Sequence, residues 1–594
     1  MGNRSLSCLT RFGMIVAIAG GLLALAPPLA EAYNLIKVFA IAAGGALTWA
    51  GLIRAPLRNT VLDRPLAALW IVMGLSAVQS VDPPASVLGM YPQAFCGLLP
   101  LTLCASLYYA AAQIPDDPDK DAVLRWMLAA AIPLTVFGIS QRFMVGRDFL
   151  LYPPLMNNRI MSTIGVPVMF GACLVPLTPV ALHWALEKKS PLGRVCAVLI
   201  AVSLLLTWAR GAWLSAAVAA ATYLWLTKRL RLGKGRLLVL ALLAPAVFLG
   251  LQRGLAKRDS DAIRVESYRT ALSSLAARPL LGFGPDTFEF AFRRFRTEEL
   301  IRVTHDSVSV ESNAHNDLFQ VAATLGALGL LAYCWLLWTL GSRLFVLLSG
   351  STVDGRDAAV GAALIGLFIQ AKVNPIPPPA LMLAGLLAGL VCGGKKTLSL
   401  RAGRAAAALA VSFGVIAAVF WGRFCAADAD YKAGRTIVRS TTLPDPAYMD
   451  GVNKLRRATE LNPWWVDYLT ARCDVILSVA PHAPPEQGRQ LLEKALKLTA
   501  DAVRLHPGNG TAHYMRATVL GFSSLRYGSG LMPEAFAEIK TASQLDPTYT
   551  FTMRRRMEIA HALGDREDYD GVDAKYRRII AISRESAAWT PLLK

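Results

Sequence analysis

Apolar stretches of membrane-span length recur along the chain, at about residues 12–30, 35–53, 65–80, 94–112, 122–141, 162–183, 195–208, 211–227, 236–252, 315–345, 357–372, 380–393 and 403–421. Crossing the hydrocarbon core takes about 20 apolar residues in a helix. The pattern therefore predicts an all-α polytopic membrane protein with about 12–13 transmembrane helices over residues 1–427. The polar connections test that count. "RAPLR", "EKKSPLGR", "KRLRLGKGR", the stretch from "SRLF" to Arg356, and "GGKKTLSLRAGR" fall on alternate loops, as cytoplasmic loops do. The acidic "DDPDKDA" at 116–122 is assigned to the same side. Parity then puts the long loop 253–314, and everything after Trp421, on the opposite side. The first apolar segment carries basic residues and an A-x-A end at Ala30 to Ala32; cleaved or, as expected here, retained as a span, it leaves Tyr33 outside.

The periodicity changes beyond Asp428, and residues 428–594 read as a helical-repeat domain. The motif A-x-x-L-x-P occurs as "ATELNP" (Ala458, Leu461, Pro463), "AVRLHP" (Ala502, Leu505, Pro507) and "ASQLDP" (Ala542, Leu545, Pro547). A small residue for close contact, a Leu for the core and a Pro that ends the helix make the close of a helical hairpin. The pattern is similar to tetratricopeptide repeats, with the prolines 44 and 40 residues apart where about 34 is usual. Arrays of this kind bind partners more often than they perform chemistry.

Composition agrees with a membrane chain: 54% hydrophobic and 17% charged residues, with a mean hydropathy of +0.42. The net charge of +20 sits in the connections, where it orients spans, so nucleic-acid binding is not expected. The nine cysteines are scattered without CxxC spacing and read as apolar packing residues. No cofactor or metal is expected. His305, Asp306, Glu311 and His315 were weighed as a zinc set, but ten residues between the histidines match no helical zinc motif.

Three positions attract attention as chemistry. Arg210, in "LLLTWARGAWLSAA", is the only charge between Val195 and Thr227. Because both flanks are strongly basic, two short helices must join them, and Arg210 with Gly211 falls at the outer tip. In the long loop, Arg264 and Arg269 stand at near-helical spacing ahead of Arg278-Pro279 and the turn Gly282-Phe283-Gly284-Pro285. That turn lacks the strand and third glycine of a dinucleotide site. Arginines suit a diphosphate because the planar fork gives bidentate bonds. Finally, "SNAHNDLFQVAATLGALG" places His315, with Ser312 or Asn313 as helix caps, in the first turn of the next span. A ring nitrogen there can take a proton from a hydroxyl.

Together "TWARGAWL", "IRVESYRTAL" with "RPLLGFGPDTF", and "AHNDLFQVAATLGALG" resemble the O-antigen ligase and O-antigen polymerase superfamily of bacterial envelope glycosyltransferases; "SVDPPASVLGMYPQAFCGLL" (80–99) and "NRIMSTIGVP" (158–167) look like its earlier signatures. The resemblance covers roughly residues 60–390. It implies inverting, metal-independent transfer of a glycan from an undecaprenyl-diphosphate carrier to a hydroxyl of lipid A core, another glycan or a protein, at the periplasmic face of the inner membrane. It also implies that Arg210 and Arg264 bind the diphosphate and that His315 is the base or orients the acceptor; beside these, Arg269, Asn316 and Asp317 are expected as supporting residues. The chain departs from the family where Val166-Pro167-Val168 replaces a usual Asn-Pro-Asn, while Tyr268 keeps the usual aromatic. The repeat domain is expected to hold a protein partner or an acceptor. A secondary transporter and a non-catalytic scaffold presenting the repeats are the rival readings; the long outer loop and the lack of an inverted repeat speak against the transporter.

Overall fold

The computed structural model describes residues 6–92, 96–114, 117–143, 158–230, 258–350, 353–441 and 445–583. The protein is an all-α polytopic membrane protein. Twelve of the thirteen expected spans coincide with a helix, and the ninth, 236–252, lies outside the described residues. Among the described residues five helices are long and apolar enough to cross a bilayer, Asn34–Leu52, Asp117–Arg142, Pro167–Leu186, Asp317–Leu348 and Leu400–Ser440, and four further apolar helices are shorter. Helix Pro167–Leu186 is central. It packs against Pro191–Thr207, Arg210–Leu226 and Gly355–Ala371.

The loops sort to two ends of this bundle. At one end a short antiparallel ribbon, not anticipated from the helical pattern, pairs Arg58–Thr60 with Gly393–Thr397. The acidic loop belongs to the same end as the basic ones: Asp117 bonds Arg356 at 2.8 Å, Asp121 bonds Lys188 at 2.7 Å, and Asp119 takes Arg11 at 2.8 Å. Opposite charges thus collect where the alternating pattern had put them.

The other end is built on the long loop. Its helices Arg258–Ala277, Phe288–Phe295 and Glu298–Thr304 lie beside the start of Asp317–Leu348. Helix Leu400–Ser440 carries the chain out of the bundle without a break: Leu409, Val415, Ile416 and Val419 are exposed on its first half, whereas Trp421, Phe424, Asp428 and Tyr431 are buried further along. At 41 residues it is about 60 Å long, so the 427/428 division falls inside one continuous helix.

Seven helices follow, from Pro446–Leu461 to Arg566–Ser583, each packed on the next. Three of them, Pro446–Leu461, Pro485–Leu505 and Met532–Leu545, end at the three A-x-x-L-x-P motifs. Ala458, Ala502 and Ala542 are buried, and the residue before each proline, Asn462, His506 or Asp546, is the buried helix cap. Two of these caps reach across to the bundle. His506 meets Asp82, and Asp546 meets Arg293 and Arg296. Asp428 makes a third junction, accepting from the Glu31 backbone, Tyr91 and Tyr468, each at 2.7 Å.

Candidate functional site

The two glycine motifs interlock. Gly326 interrupts the Asp317–Leu348 helix with φ 65°, and Gly282 in the long loop has φ 66°. The loop inserts into the break: Phe283 and Gly284 donate to the carbonyls of Ala323 and Thr324, while Ala327 and Leu328 donate to those of Pro279 and Leu280. A Cβ on Gly326 would lie 2.5 Å from the Leu280 carbonyl, and one on Gly282 would lie 2.4 Å from that of Thr324. Only glycine allows both the backbone angles and this approach.

The break fixes how the start of that helix is presented. Sequence reasoning put His315 in its first turn with Ser312 or Asn313 as the cap. Instead Asn316 is the cap, accepting from Leu318 and Phe319, and His315 precedes it in the left-handed region at φ 54°. Asn313 Oδ1 holds the His315 N–H at 3.0 Å, and Asn316 Nδ2 donates to the Lys372 carbonyl at 3.1 Å. The difference is local: an asparagine nearer the apolar run supplies two bonds to orphan N–H groups. Asp317 receives Lys372 Nζ at 2.6 Å and the Tyr333 hydroxyl at 2.6 Å. Asn316 and Asp317 therefore anchor the helix start to its neighbours.

His315 faces a cavity of about 340 Å³. Its wall is mostly apolar, with Leu66, Leu69, Met73 and Leu336 among the lining residues, and its polar lining includes His315, Asn316, Asp317, Asp286 and Asn374. His315 Nε2 lies 3.2 Å from Glu311 Oε2, and its buried Nδ1 has no hydrogen-bond partner among the described residues. With Nε2–H donated to the carboxylate, Nδ1 is left as a proton acceptor. Glu311 thus orients the ring, a role the sequence did not suggest. His305 and Asp306 turn elsewhere, to the Ile582 carbonyl and to the Val308 and Ser309 N–H groups. Among the described residues no group of three or more His, Cys, Asp or Glu could hold a metal.

Arg210 opens helix Arg210–Leu226 at the tip of the expected hairpin, after a left-handed turn at Trp208. Gly211 sits against Asn374 of the cavity wall. Arg159, from the "NRIMSTIGVP" segment, donates to the Thr207 carbonyl at 2.8 Å beside this turn, and burial followed by the charge of Arg210 lowers its pKa. The two guanidinium groups are thus near enough to feel each other's charge. Arg264 lies one turn before Tyr268, whose ring stacks on Phe319 at 4.6 Å in the first turn of the His315 helix. Neither Arg210 nor Arg264 lines the cavity itself. Arg269 is largely exposed and lies 3.8 Å from Glu266.

Asp286, just past the Gly-Phe-Gly-Pro turn, is buried and accepts the Met90 and Cys96 N–H groups at 2.8 and 2.9 Å. Burial, opposed by these two bonds, pushes its pKa up to about 7. Asp286, Lys372 and Arg159 went unassigned in the sequence because each works on a distant backbone or side chain.

All of the interlocked segment, from the Arg210 hairpin past His315 to the far side of Gly326, lies within one recognisable stretch. Residues 195–334 match the family model described as O-Antigen ligase. The match supports the O-antigen ligase superfamily, a glycosyl-transfer role in envelope polysaccharide assembly, and a multi-pass place in the bacterial envelope. Arg210, Arg264 and His315 all fall inside the ligase-matched segment, whereas Arg159 and Lys372 lie outside it. No curated protein matches the chain.

Proposed function

We propose that the protein transfers a glycan from an undecaprenyl-diphosphate carrier to an acceptor hydroxyl at the periplasmic face of the inner membrane. The observation that carries this reading is the placement of His315, with Nδ1 unpartnered among the described residues and a carboxylate on Nε2, in the wall of a mostly apolar cavity. Such a cavity suits a ligand with a polar head and a hydrocarbon tail. The acceptor oxygen attacks the anomeric carbon and its proton passes to His315 Nδ1. The bond from that carbon to the diphosphate oxygen breaks, and configuration inverts. Arg210 and Arg264, with Arg159 beside the first, stabilise charge developing on the leaving diphosphate, so the step needs no metal. The helices from Pro446 to Ser583, read as the repeat domain, hold the acceptor or a protein partner.

The test is transfer from radiolabelled undecaprenyl-diphosphate glycan by purified protein in lipid nanodiscs, with lipid A core, glycan and protein acceptors supplied. His315→Ala should abolish product while leaving donor binding and melting temperature unchanged. Full activity in that variant would overturn the assignment of the base. A folded wild-type protein that binds donor but makes no product with any acceptor would leave the scaffold reading, and one that binds no donor would favour the transporter.

A further inference from the structure

A second cavity, of about 400 Å³, lies where the helical array meets the long loop, and it shares no lining residue with the cavity at His315. Its chemistry is different. Aromatic faces come from Tyr91 and Trp464; Tyr91 is itself stacked on Trp465 with ring centroids 4.4 Å apart. Polar groups come from Asp467, which is exposed to the cavity, and from Asn509 and His506.

His506 points to a ligand. Its side chain is only 3% exposed; Nδ1 lies 2.8 Å from Asp82, and Nε2 is buried without a hydrogen-bond partner among the described residues. Because Asp82 takes the Nδ1–H, Nε2 is a hydrogen-bond acceptor, and a buried acceptor of this kind demands a donor. Asn509 uses Oδ1 to cap Thr511 and Ala512, leaving its NH₂ to donate. Arg293, the lining cation, is engaged by Glu289 at 2.6 Å and Asp546 at 3.2 Å. With that arginine paired and Asp467 open, the cavity disfavours an anion. Its polarity disfavours a lipid tail. An aromatic wall with acceptors and a donor around it fits an uncharged pyranose, whose C–H face lies on the rings while its hydroxyls donate to His506 and Asp467 and accept from Asn509.

The two cavities back onto one loop. Met90 lines the array cavity and Cys96 lines the His315 cavity, and the N–H groups of both are held by the same oxygen of Asp286. We propose that the array cavity is a saccharide subsite holding an uncharged sugar unit of a glycan chain that extends from the transfer site. It rests on the glycosyl-transfer reading for the source of that sugar, either the acceptor chain or the far end of the donor chain.

The test measures binding without turnover, on the full chain in nanodiscs. One probe is the oligosaccharide released by mild acid from the host's lipid-linked glycan, followed by saturation-transfer NMR. The other is the intact lipid-linked glycan. Asp467→Asn and His506→Gln should each weaken binding about tenfold or more, the first with an unchanged melting temperature, the second with a looser junction at Asp82. A loss with the free oligosaccharide marks the acceptor chain, and a loss confined to the lipid-linked form marks the donor. Unchanged binding of both probes in Asp467→Asn, which removes no packing, would overturn the proposal. Saccharide binding that depends on these residues in a protein that transfers nothing would sustain the subsite and reject the transferase.

Discussion

The backbone at His315 is left-handed, a conformation that costs a non-glycine residue about 1–2 kcal/mol, and the bond from its N–H to Asn313 holds it there. Strain of this kind collects at functional positions, where the surrounding structure over-determines a geometry. Here Glu311 takes one ring nitrogen and the other has no partner among the described residues. Glu311→Gln keeps the size and an acceptor oxygen but removes the charge that would stabilise the imidazolium of the proposed mechanism. The expected outcome is a loss of roughly 100-fold in turnover with little change in donor affinity, measured by single-turnover kinetics. Asp286 yields a pH prediction. Its pKa, raised by burial to about 7 from 3.8, means the folded state binds the proton more tightly than the unfolded chain. Its contribution to stability is therefore full below about pH 4 and is lost as pH rises towards 7. Asp286→Asn keeps an oxygen for Met90 and Cys96 and cannot ionise, so the difference in melting temperature between wild type and variant should change between pH 4.5 and 7.5 in the variant's favour. A constant difference would show that the folded carboxyl is already ionised below pH 4.5.

At the scale of elements, the interlock of Gly282 and Gly326 turns two loosely related motifs into one unit. Read along the chain, Gly-Phe-Gly-Pro is a turn and Gly326 belongs to the motif that begins at His315. The reason for both is the other, 44 residues away, and no local pattern reports it. Gly326→Ala adds a Cβ 2.5 Å from the Leu280 backbone at a positive φ, so it should destabilise by about 2 kcal/mol or more and displace the helix start that carries His315. The check is a lower melting temperature together with lower transfer. An alanine variant that is stable and fully active would mean that the break does not position the site. The Arg210 hairpin was legible because charge alternation demands an even number of crossings between two basic flanks. The cap at Asn316 was not, since Ser312, Asn313 and Asn316 offered competing caps and the Lys372 carbonyl that helps hold Asn316 comes from a residue remote in sequence.

Across the whole molecule, the array is docked on the long loop by a few buried polar contacts. Asp546 lies between Arg293 and Arg296, all three substantially buried. Removing it leaves Arg293 on Glu289 alone and Arg296 on the neutral Thr548 and Ser309 oxygens, and Asp546→Ala should weaken docking by about 3 kcal/mol. Limited proteolysis should then cleave the array faster while the bundle keeps its melting temperature; an unchanged digestion pattern would show that docking relies on His506 and Asp428 instead. The repeat motifs acquire a second meaning at this scale. The residue before each proline caps a helix, and in two repeats it also grips the bundle.

The sequence by itself determined the all-α membrane architecture, the alternation of charged loops, the Arg210 hairpin and the helices that end at each A-x-x-L-x-P motif. These depend on local apolar length, charge and proline geometry, which a linear chain displays in full. Only the tertiary structure decided which nitrogen of His315 remains open, that Glu311, Lys372 and Asp286 serve the site, and that the array closes a polar cavity against the long loop. Each of these rests on contacts between residues remote in sequence or on a backbone turn set by its surroundings, and such contacts come into being only when the chain packs.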